Sequence, residues 1–528
     1  MLSNDPNTPQ TVKQIVIVGG GTAGWLTACV LAAEFQLSDD FSITLIESPD
    51  TPAIGVGEGT WPSMRSTLKK IGINEAEFLR RCQGSLKQGT YFRNWLHGNG
   101  ESYYHPFSTP AGYSEANLAE VWLEAENPEQ SFAHSVTPQC RICDESGTAK
   151  QLGIPDYAYA LNYGYHLDAG AFAAMLSEHA VEALGVTHTV AHVSQVACDA
   201  QGYIESLQTS AGTTVSGDLF IDCSGFSALL LGKHYDIPLT GVDSILFNDR
   251  ALATQLAYPS SDDSIKSTTW ASAQRAGWIW DIGLRERRGV GYVFSSTHTD
   301  EATAERTLED YLRLQAPDSA AGTSWKAPRL LAFQPGYRET FWHKNCVAIG
   351  LAAGFVEPLE ASALVLVELG ARAIADRFPS NRAAMSVQAA RYNREFTARW
   401  EHIVEFLKLH YVLSKREDSS YWQDHRTAES IPQALQEKLM LWQAEIPWHG
   451  EDQRTDELFP SASYQYVLMG MGFQTHQAQV PRKRLDQQRS QSQQLFQDVQ
   501  QQAQRMSQHL PSNRRLLSDL LHRDFAAL

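Results

Sequence analysis

In the stretch GGGTAG, Gly19, Gly21 and Gly24 fall on the spacing G-x-G-x-x-G. Glycine at the first position permits a tight turn, at the second a close approach to a pyrophosphate, and at the third close packing of helix on strand. Thr22 and Ala23 then begin a helix whose amides and dipole would point at the phosphates. Glu47, about twenty residues on, is placed to bind ribose hydroxyls. A second group is aromatic. In AGWIWDIGLRERRGVGYVF, Trp278 and Trp280 stand two residues apart in a run that reads as a strand, so both indoles share a face. Such a face is either core or the wall of a site. Cys140 and Cys143 form a lone C-x-x-C. Zinc would need further ligands, so the pair reads as two loop thiols in an insertion and no metal is expected.

These residues need elements to hold them. The β-branched run Ile15 to Val18 predicts a buried parallel strand, followed by a helix over Ala23 to Phe35. FSITLIES predicts a second strand ending at Glu47. GDLFIDCSGFSALLL predicts a third over Leu219 to Asp222, leading to Ser224 and Gly225. NCVAIGLAAGFVEPLEASAL runs strand, glycine turn and helix, with Gly350, Leu351 and Gly354 in the turn. A nicotinamide half-domain needs no such repeated return, whereas FAD, longer and with a large ring to shelter, does. No second convincing G-x-G-x-x-G is present, so electrons are expected from another protein.

The fold class expected is α/β: a doubly wound, Rossmann-like FAD-binding core of flavin monooxygenase type, with a substrate sheet and a C-terminal helical module. The core with its interleaved substrate-side segments is assigned to 1–380, and a mainly helical C-terminal module to 381–528. Phe396, Trp400, Ile403 and Leu407 mark one face of a long helix, with Ser380 as N-cap. In the glutamine-rich tail, Leu495, Val499, Ala503 and Met506 mark an amphipathic helix. It would dock on the body or on a second subunit, which leaves a homodimer open.

Composition bounds the partners. A net charge of −17 argues against a nucleic-acid surface. The 528 residues, 43% hydrophobic and 20% charged, suit a large globular core with an appended module. Seven cysteines, mostly isolated, suggest reduced thiols in a cytoplasm. Ile15 to Ala33 is uncharged for about the length of a membrane span, but glycines break it and no basic segment precedes it. A strand, turn and helix explain it better than an anchor or signal, and no membrane partner is expected.

Ordered segments along most of the chain resemble the flavin-dependent tryptophan halogenases. GGGTAGW resembles that family's FAD fingerprint, and GVGEGTWPS, with Gly57 and Glu58, its next flavin-side block. YHLDAGAF and DLFIDCSGF also resemble family segments. GSLKQGTYFRNW resembles the segment carrying the essential lysine, which falls on Lys87; alone, this stretch would make Lys87 an exposed charge at a helix end. YYHPF resembles the His-x-Phe substrate wall, His105 and Phe107, and GFVEPLEASA the stretch with the essential glutamate, Glu360. WEHIVEFLKLHYVLSKRED resembles the first C-terminal helical segment. SASYQYVLMGMGF stands where the second closes over the substrate, with Tyr464 or Tyr466 lining it.

The family marker W-x-W-x-I-P falls on Trp278, Trp280 and Ile282, with Gly283 in place of proline. The role this implies for the tryptophans is a barrier between flavin and substrate. After the glutamate the family usually continues Ser-Thr-Gly beside the halide, where this chain has Ala361, Ser362 and Ala363. Ser362 and Ala363 thus take the halide-binding positions. Ala363 would be strained if it had to copy a glycine with positive φ; a different turn is the alternative.

The resemblance implies that reduced FAD, supplied by a separate flavin reductase, and oxygen convert chloride or bromide to hypohalous acid. Lys87 would direct that oxidant as an ammonium or as a chloramine. Glu360 would polarise it or accept the proton lost from the ring. His105 and Phe107 would sandwich an indole, tryptophan-like or other electron-rich aromatic substrate. Glu357 reads as structural. Two alternatives stand beside this. A flavin-dependent aromatic monooxygenase commonly has Gly-Asp in its third FAD segment, where this chain has Gly350-Leu351. A lapsed FAD-binding protein, serving as carrier or sensor, would account for Gly283 and Ala363.

Overall fold

The apolar run at Ile15–Val18 becomes the strand Gln14–Val18 inside a six-stranded sheet. Leu219–Asp222 and Ser42–Glu47 flank it in parallel, with Val18 opposite Asp222 on one side and Ile46 on the other. Cys346–Ala348 and Thr187–Val190 extend the sheet in parallel, and Trp342–His343 closes one edge antiparallel. Parallel strands covered on both faces must be apolar throughout, which is why IVIV and LFID show no alternation. The helix Thr22–Glu34 packs against Ala169–Glu182 and Ser362–Asp376, so distant segments meet over the glycine turn. The chain is a computed structural model describing residues 11–35, 37–38, 40–50, 57–124, 130–316, 325–449, 458–475 and 483–522, the side chains of 483–488 and 521–522 excepted. Gly55 and Val56 of the second flavin-side motif, and the chain end after 522, lie outside the described residues.

A seven-stranded sheet forms the opposite wall. The tryptophan run is a hairpin rather than one strand: Gly277–Gly283 pairs antiparallel with Arg287–Phe294, and the amide of Leu284 donates to the carbonyl of Arg287. A single strand of that length would exceed the usual range. Between the sheets lies a three-stranded antiparallel sheet of Gly57–Gly59, Gly164–Asp168 and Ser85–Lys87. It carries Glu58 and Lys87 into the middle of the molecule, so Lys87 sits on a buried strand and not at an exposed helix end.

The long helix runs Arg382–Val412 and buries Phe396, Trp400, Ile403 and Leu407 as their spacing predicts. Its N-cap is Asn381, whose side chain accepts from the amide of Ala384, and not Ser380, whose carbonyl accepts from Val12. The glutamine-rich helix Lys483–His509 packs on this chain's own helices Phe132–Val136 and Gln139–Asp144, with Val499 and Ala503 buried. Cys140 and Cys143 are not loop thiols. They lie buried in the helix Gln139–Asp144, where burial pushes both thiols well up. Among the described residues no helix is long and apolar enough to cross a membrane.

Candidate functional site

A cavity of about 1190 Å³ opens where the first strand meets its helix. That exceeds the usual range for a small-molecule pocket and has room for a dinucleotide. Gly19, Gly21, Thr22, Ala23 and Glu47 line one end; Gly57, Glu58, Gly225, Gly350, Leu351 and Gly354 line its length. Gly19 adopts φ +121°, and a Cβ at Gly24 would lie 1.8 Å from the Gly19 carbonyl oxygen, so both glycines are required where the fingerprint puts them. Glu47 lies against Gly20 and pairs with His188 at 2.9 Å.

Asp222 does not reach the lining. Fully buried, its carboxylate accepts from the amide and hydroxyl of Ser224 and from the amides of Leu230 and Leu231, so it shapes the loop behind the cavity. Glu58 is raised to about 7 by burial and then by the neighbouring charge of Asp168.

Lys87 lines this cavity from the buried three-stranded sheet. Its Nζ lies close to Gly59, where an added Cβ would meet it at 3.0 Å and the Cβ of Ala361 at 3.4 Å. The ring of Phe107 lies 5.4 Å away. Burial lowers the ammonium to about 8, with the charge of Glu360 opposing. Glu360 itself turns away from the cavity. Its Oε1 accepts from Nδ1 of His105 at 2.9 Å, while Nε2 of His410 lies 3.2 Å from the same oxygen, off the line of a hydrogen bond. Burial pushes the carboxyl up, but His105 and then His410 outweigh it and hold it at about 2. A carboxylate cannot donate, so Nδ1 of His105 carries the proton, and its Nε2 faces the Ser463 hydroxyl at 3.0 Å. His410 escaped the sequence reading because nothing marks one histidine in a helical run as facing a carboxylate fifty residues back.

The two tryptophans share a face but not a task. Their rings meet edge to face at 6.4 Å. Trp280 lines the cavity and lies so close over its cross-strand partner Gly291 that a Cβ there would be 2.1 Å from the indole. Trp278 is set behind it and donates from Nε1 to Glu357 at 2.7 Å. Glu357, buried, also accepts from Asn248 at 2.5 Å and from the hydroxyl of Tyr411 at 2.8 Å. Three donors on one carboxylate fix the indole and the start of the turn leading to Glu360. Gly283 has a local reason too: a Cβ would lie 3.0 Å from Ile265 and 3.1 Å from the hydroxyl of Tyr258. Those contacts are tight for any Cβ, so the neighbours at this position favour glycine.

The predicted substrate residues gather elsewhere. His105, Tyr464 and Tyr466 pack in an aromatic cluster with Phe406 and Phe459, whose rings stack at 3.9 Å, and Trp61 sits edge-on to Phe459 at 5.0 Å. None of His105, Phe107, Tyr464 or Tyr466 lines the large cavity. The hydroxyl of Tyr466 donates to the carbonyl of Ser108 at 2.9 Å. At the turn after Glu360 the left-handed residue is Ala361, with φ +54°, and not Ala363. Ala363 lies in the first turn of the helix Ser362–Asp376, so the chain takes the different turn; Ser362 and Ala363 both line the cavity.

A glycine-lined cavity of dinucleotide size at the end of a parallel sheet, with an indole and a buried lysine on its wall, defines an α/β protein built to hold a large cofactor. The relatives agree. A family profile described as Tryptophan halogenase matches residues 14–487. The tryptophan 6-halogenase SttH of Streptomyces toxytricini is 31% identical over 87% of this chain and 89% of its own. A crystal structure of a tryptophan halogenase from Shewanella frigidimarina superposes with a TM-score of 0.92 at 46% identity, covering 98% of this chain and 99% of that one. Xcc4156, a flavin-dependent halogenase from Xanthomonas campestris, gives 0.86 at 32% identity, over 96% and 98%. The chain belongs to the tryptophan halogenase family and is a flavin-dependent halogenase.

Proposed function

We propose that the cavity binds FAD, and that the enzyme uses reduced FAD, oxygen and chloride or bromide to halogenate an indole, tryptophan-like or other electron-rich aromatic substrate through hypohalous acid. The observation that carries this reading is Lys87, buried, lining the cavity and electrostatically coupled to Glu360 on its far side. The cavity residues fit the cofactor: the fingerprint glycines leave the backbone bare for a pyrophosphate, and Glu47 stands by for the ribose. Once bound and reduced by a separate flavin reductase, FAD supplies the activation of oxygen that oxidises the halide.

The chain's own residues then control the oxidant. Trp280, backed by Trp278 and Glu357, blocks the direct route between cofactor and substrate. Ser362 and Ala363, at the start of a helix, present the positive end of its dipole to a halide. With its ammonium lowered to about 8, Lys87 holds the hypohalous acid by a hydrogen bond, or its amine fraction near neutrality takes the halogen as the O–halogen bond breaks and water leaves, giving a chloramine. Glu360 polarises the electrophile or receives the ring proton, and His105 fixes its orientation. His105, Phe107 and the Tyr464–Tyr466 helix enclose the ring.

The test is turnover with a flavin reductase, NADH, FAD, oxygen and either halide, on a panel of tryptophan, indole and simple phenols. A halogen isotope pattern in the product is expected by mass spectrometry. A hydroxylated product would mean that the indole barrier does not exclude direct oxygen transfer, and that the monooxygenase reading is correct.

A further inference from the structure

The strand that carries Lys87 is three residues long, Ser85–Lys87, and among the described residues has one strand partner. On that edge Ser85 faces His166 and Lys87 faces Gly164, antiparallel. Along a strand, alternate residues turn their amide and carbonyl to opposite edges. Leu86 therefore presents its N–H and C=O outward, into a fully buried region where unpaired backbone groups are costly.

Both groups are met by one side chain from the far end of the chain. Asn513 accepts from the amide of Leu86 at 3.3 Å through Oδ1 and donates to its carbonyl at 3.0 Å through Nδ2. A carboxamide offers donor and acceptor side by side without having to bind a proton, so it substitutes for a second strand. Asn513 is itself fully buried, at the start of the helix Asn513–His522.

The backbone that carries the carboxamide is held in turn. The backbone N–H of Asn513 donates to the carbonyl of Ser146 at 2.9 Å, the backbone N–H of Thr148 donates to the carbonyl of Pro511 at 2.9 Å, and Ser512 bridges to Gly147. Gly147 closes the loop back to the lysine strand, because its carbonyl accepts from Nε2 of Gln88 at 2.8 Å. Segment 511–513 is thus tied to residues on both sides of Lys87, directly at Leu86 and through Gly147 at Gln88.

We propose that Asn513 is a positioning residue for Lys87: the C-terminal segment supplies the missing edge of the lysine strand and holds the ammonium in register between the cofactor cavity and Glu360. This rests on reading Lys87 as the group that directs the halogen. Asn513 does not line the cavity, and its effect passes through the backbone of Leu86.

The test compares Asn513→Asp, Asn513→Ala and Asn513→Gln with Leu516→Ala. The aspartate keeps the size but sets a carboxylate oxygen against the Leu86 carbonyl. Leu516 is buried on the same helix and makes no hydrogen bond to the lysine strand. Asn513→Asp and Asn513→Ala should lower kcat for halogenation tenfold or more, move its pH midpoint, and leave KM and FAD affinity within twofold. Asn513→Gln, which can still pair with both groups, should recover part of the loss. Leu516→Ala should lower Tm while keeping the wild-type kcat and pH midpoint.

Competitive acetylation of Lys87 across pH, read by mass spectrometry on the resting FAD-bound enzyme, reports its environment without turnover. Should the wild type make no halogenated product, the reading of Lys87 fails while a shifted acetylation profile in Asn513→Asp still supports the clamp. Asn513→Asp and Asn513→Ala proteins with lowered Tm but wild-type kcat, pH midpoint and acetylation profile would overturn it.

Discussion

The two sides of Lys87 are built from different materials. Toward the nucleotide cavity the walls are backbone and small residues, Gly19, Gly57, Gly59, Gly350 and Ala361, which leave a space of about 1190 Å³. Toward Glu360 and His105 the walls are large rings, Trp61, Phe406, Phe459, Tyr464 and Tyr466, packed on one another. Bare backbone suits a long charged cofactor that needs many amides at close approach. Stacked rings suit a flat apolar guest whose shape must be read. Lys87 and Trp280 both line the cavity, and the proposed function makes the one a passage and the other a block. On that proposal, cofactor binding and halogen delivery should be separable.

The largest effect expected of a single change falls between those two sides. Lys87→Met removes the amine and should reduce halogenated product by about 10³-fold or more. It should also stabilise the fold. A buried lysine whose folded value of about 8 lies below its unfolded 10.5 binds its proton less well when folded, so below pH 8 it costs about 3 kcal/mol. That cost is relieved as pH rises from 8 to 10.5. Urea unfolding should therefore show the variant more stable at pH 7 and the gap closing by pH 10.5.

On the substrate side, Glu360→Gln should lower kcat about 10²-fold and leave FAD affinity, measured by fluorescence titration, within twofold. Unchanged kcat would move the proton-accepting role to another group. Behind the barrier, Glu357→Gln turns an amide donor toward the donors of Trp278, Asn248 and Tyr411. It should cost about 1–3 kcal/mol of stability. It should also raise the hydrogen peroxide formed per halogenated product as Trp280 loses its backing. The smallest effect belongs to the turn after Glu360: Ala361→Gly should add about 1 kcal/mol, because the left-handed φ of +54° is strained for alanine. Thermal unfolding with no rise in Tm would count against that strain.

The contrast also marks what a sequence can display. Backbone sites carry a local signature, because the turn that exposes amides demands glycine at fixed steps, and Gly19, Gly21 and Gly24 wrote it plainly. The strands IVIV, SITLIE and LFID were legible for the same reason: burial on both faces is a composition. Lys87 looked like a surface lysine until the resemblance singled it out, since its burial depends on strands contributed by residues near 58 and 166. His410 and Glu357 act through partners fifty or more residues away, up to 109 for Asn248, and no spacing records that. The turn at Ala361 and the cap at Asn381 each lay a residue or two from the expected place, because several neighbours were chemically able to serve and packing chose among them. Gly283 departs from the family pattern, and Tyr258 and Ile265, packed close to its Cα, are neighbours that the motif does not record.

The separation of the two sides is tested most directly in Lys87→Ala, by following the fate of oxygen when reduced FAD, chloride or bromide and the best aromatic substrate are present. The account predicts wild-type FAD affinity and continued oxygen consumption, with hydrogen peroxide or free hypohalous acid released and no enzyme-directed halogenated product. Regioselective halogenated product at the wild-type rate would contradict it, as would loss of FAD binding together with oxygen consumption.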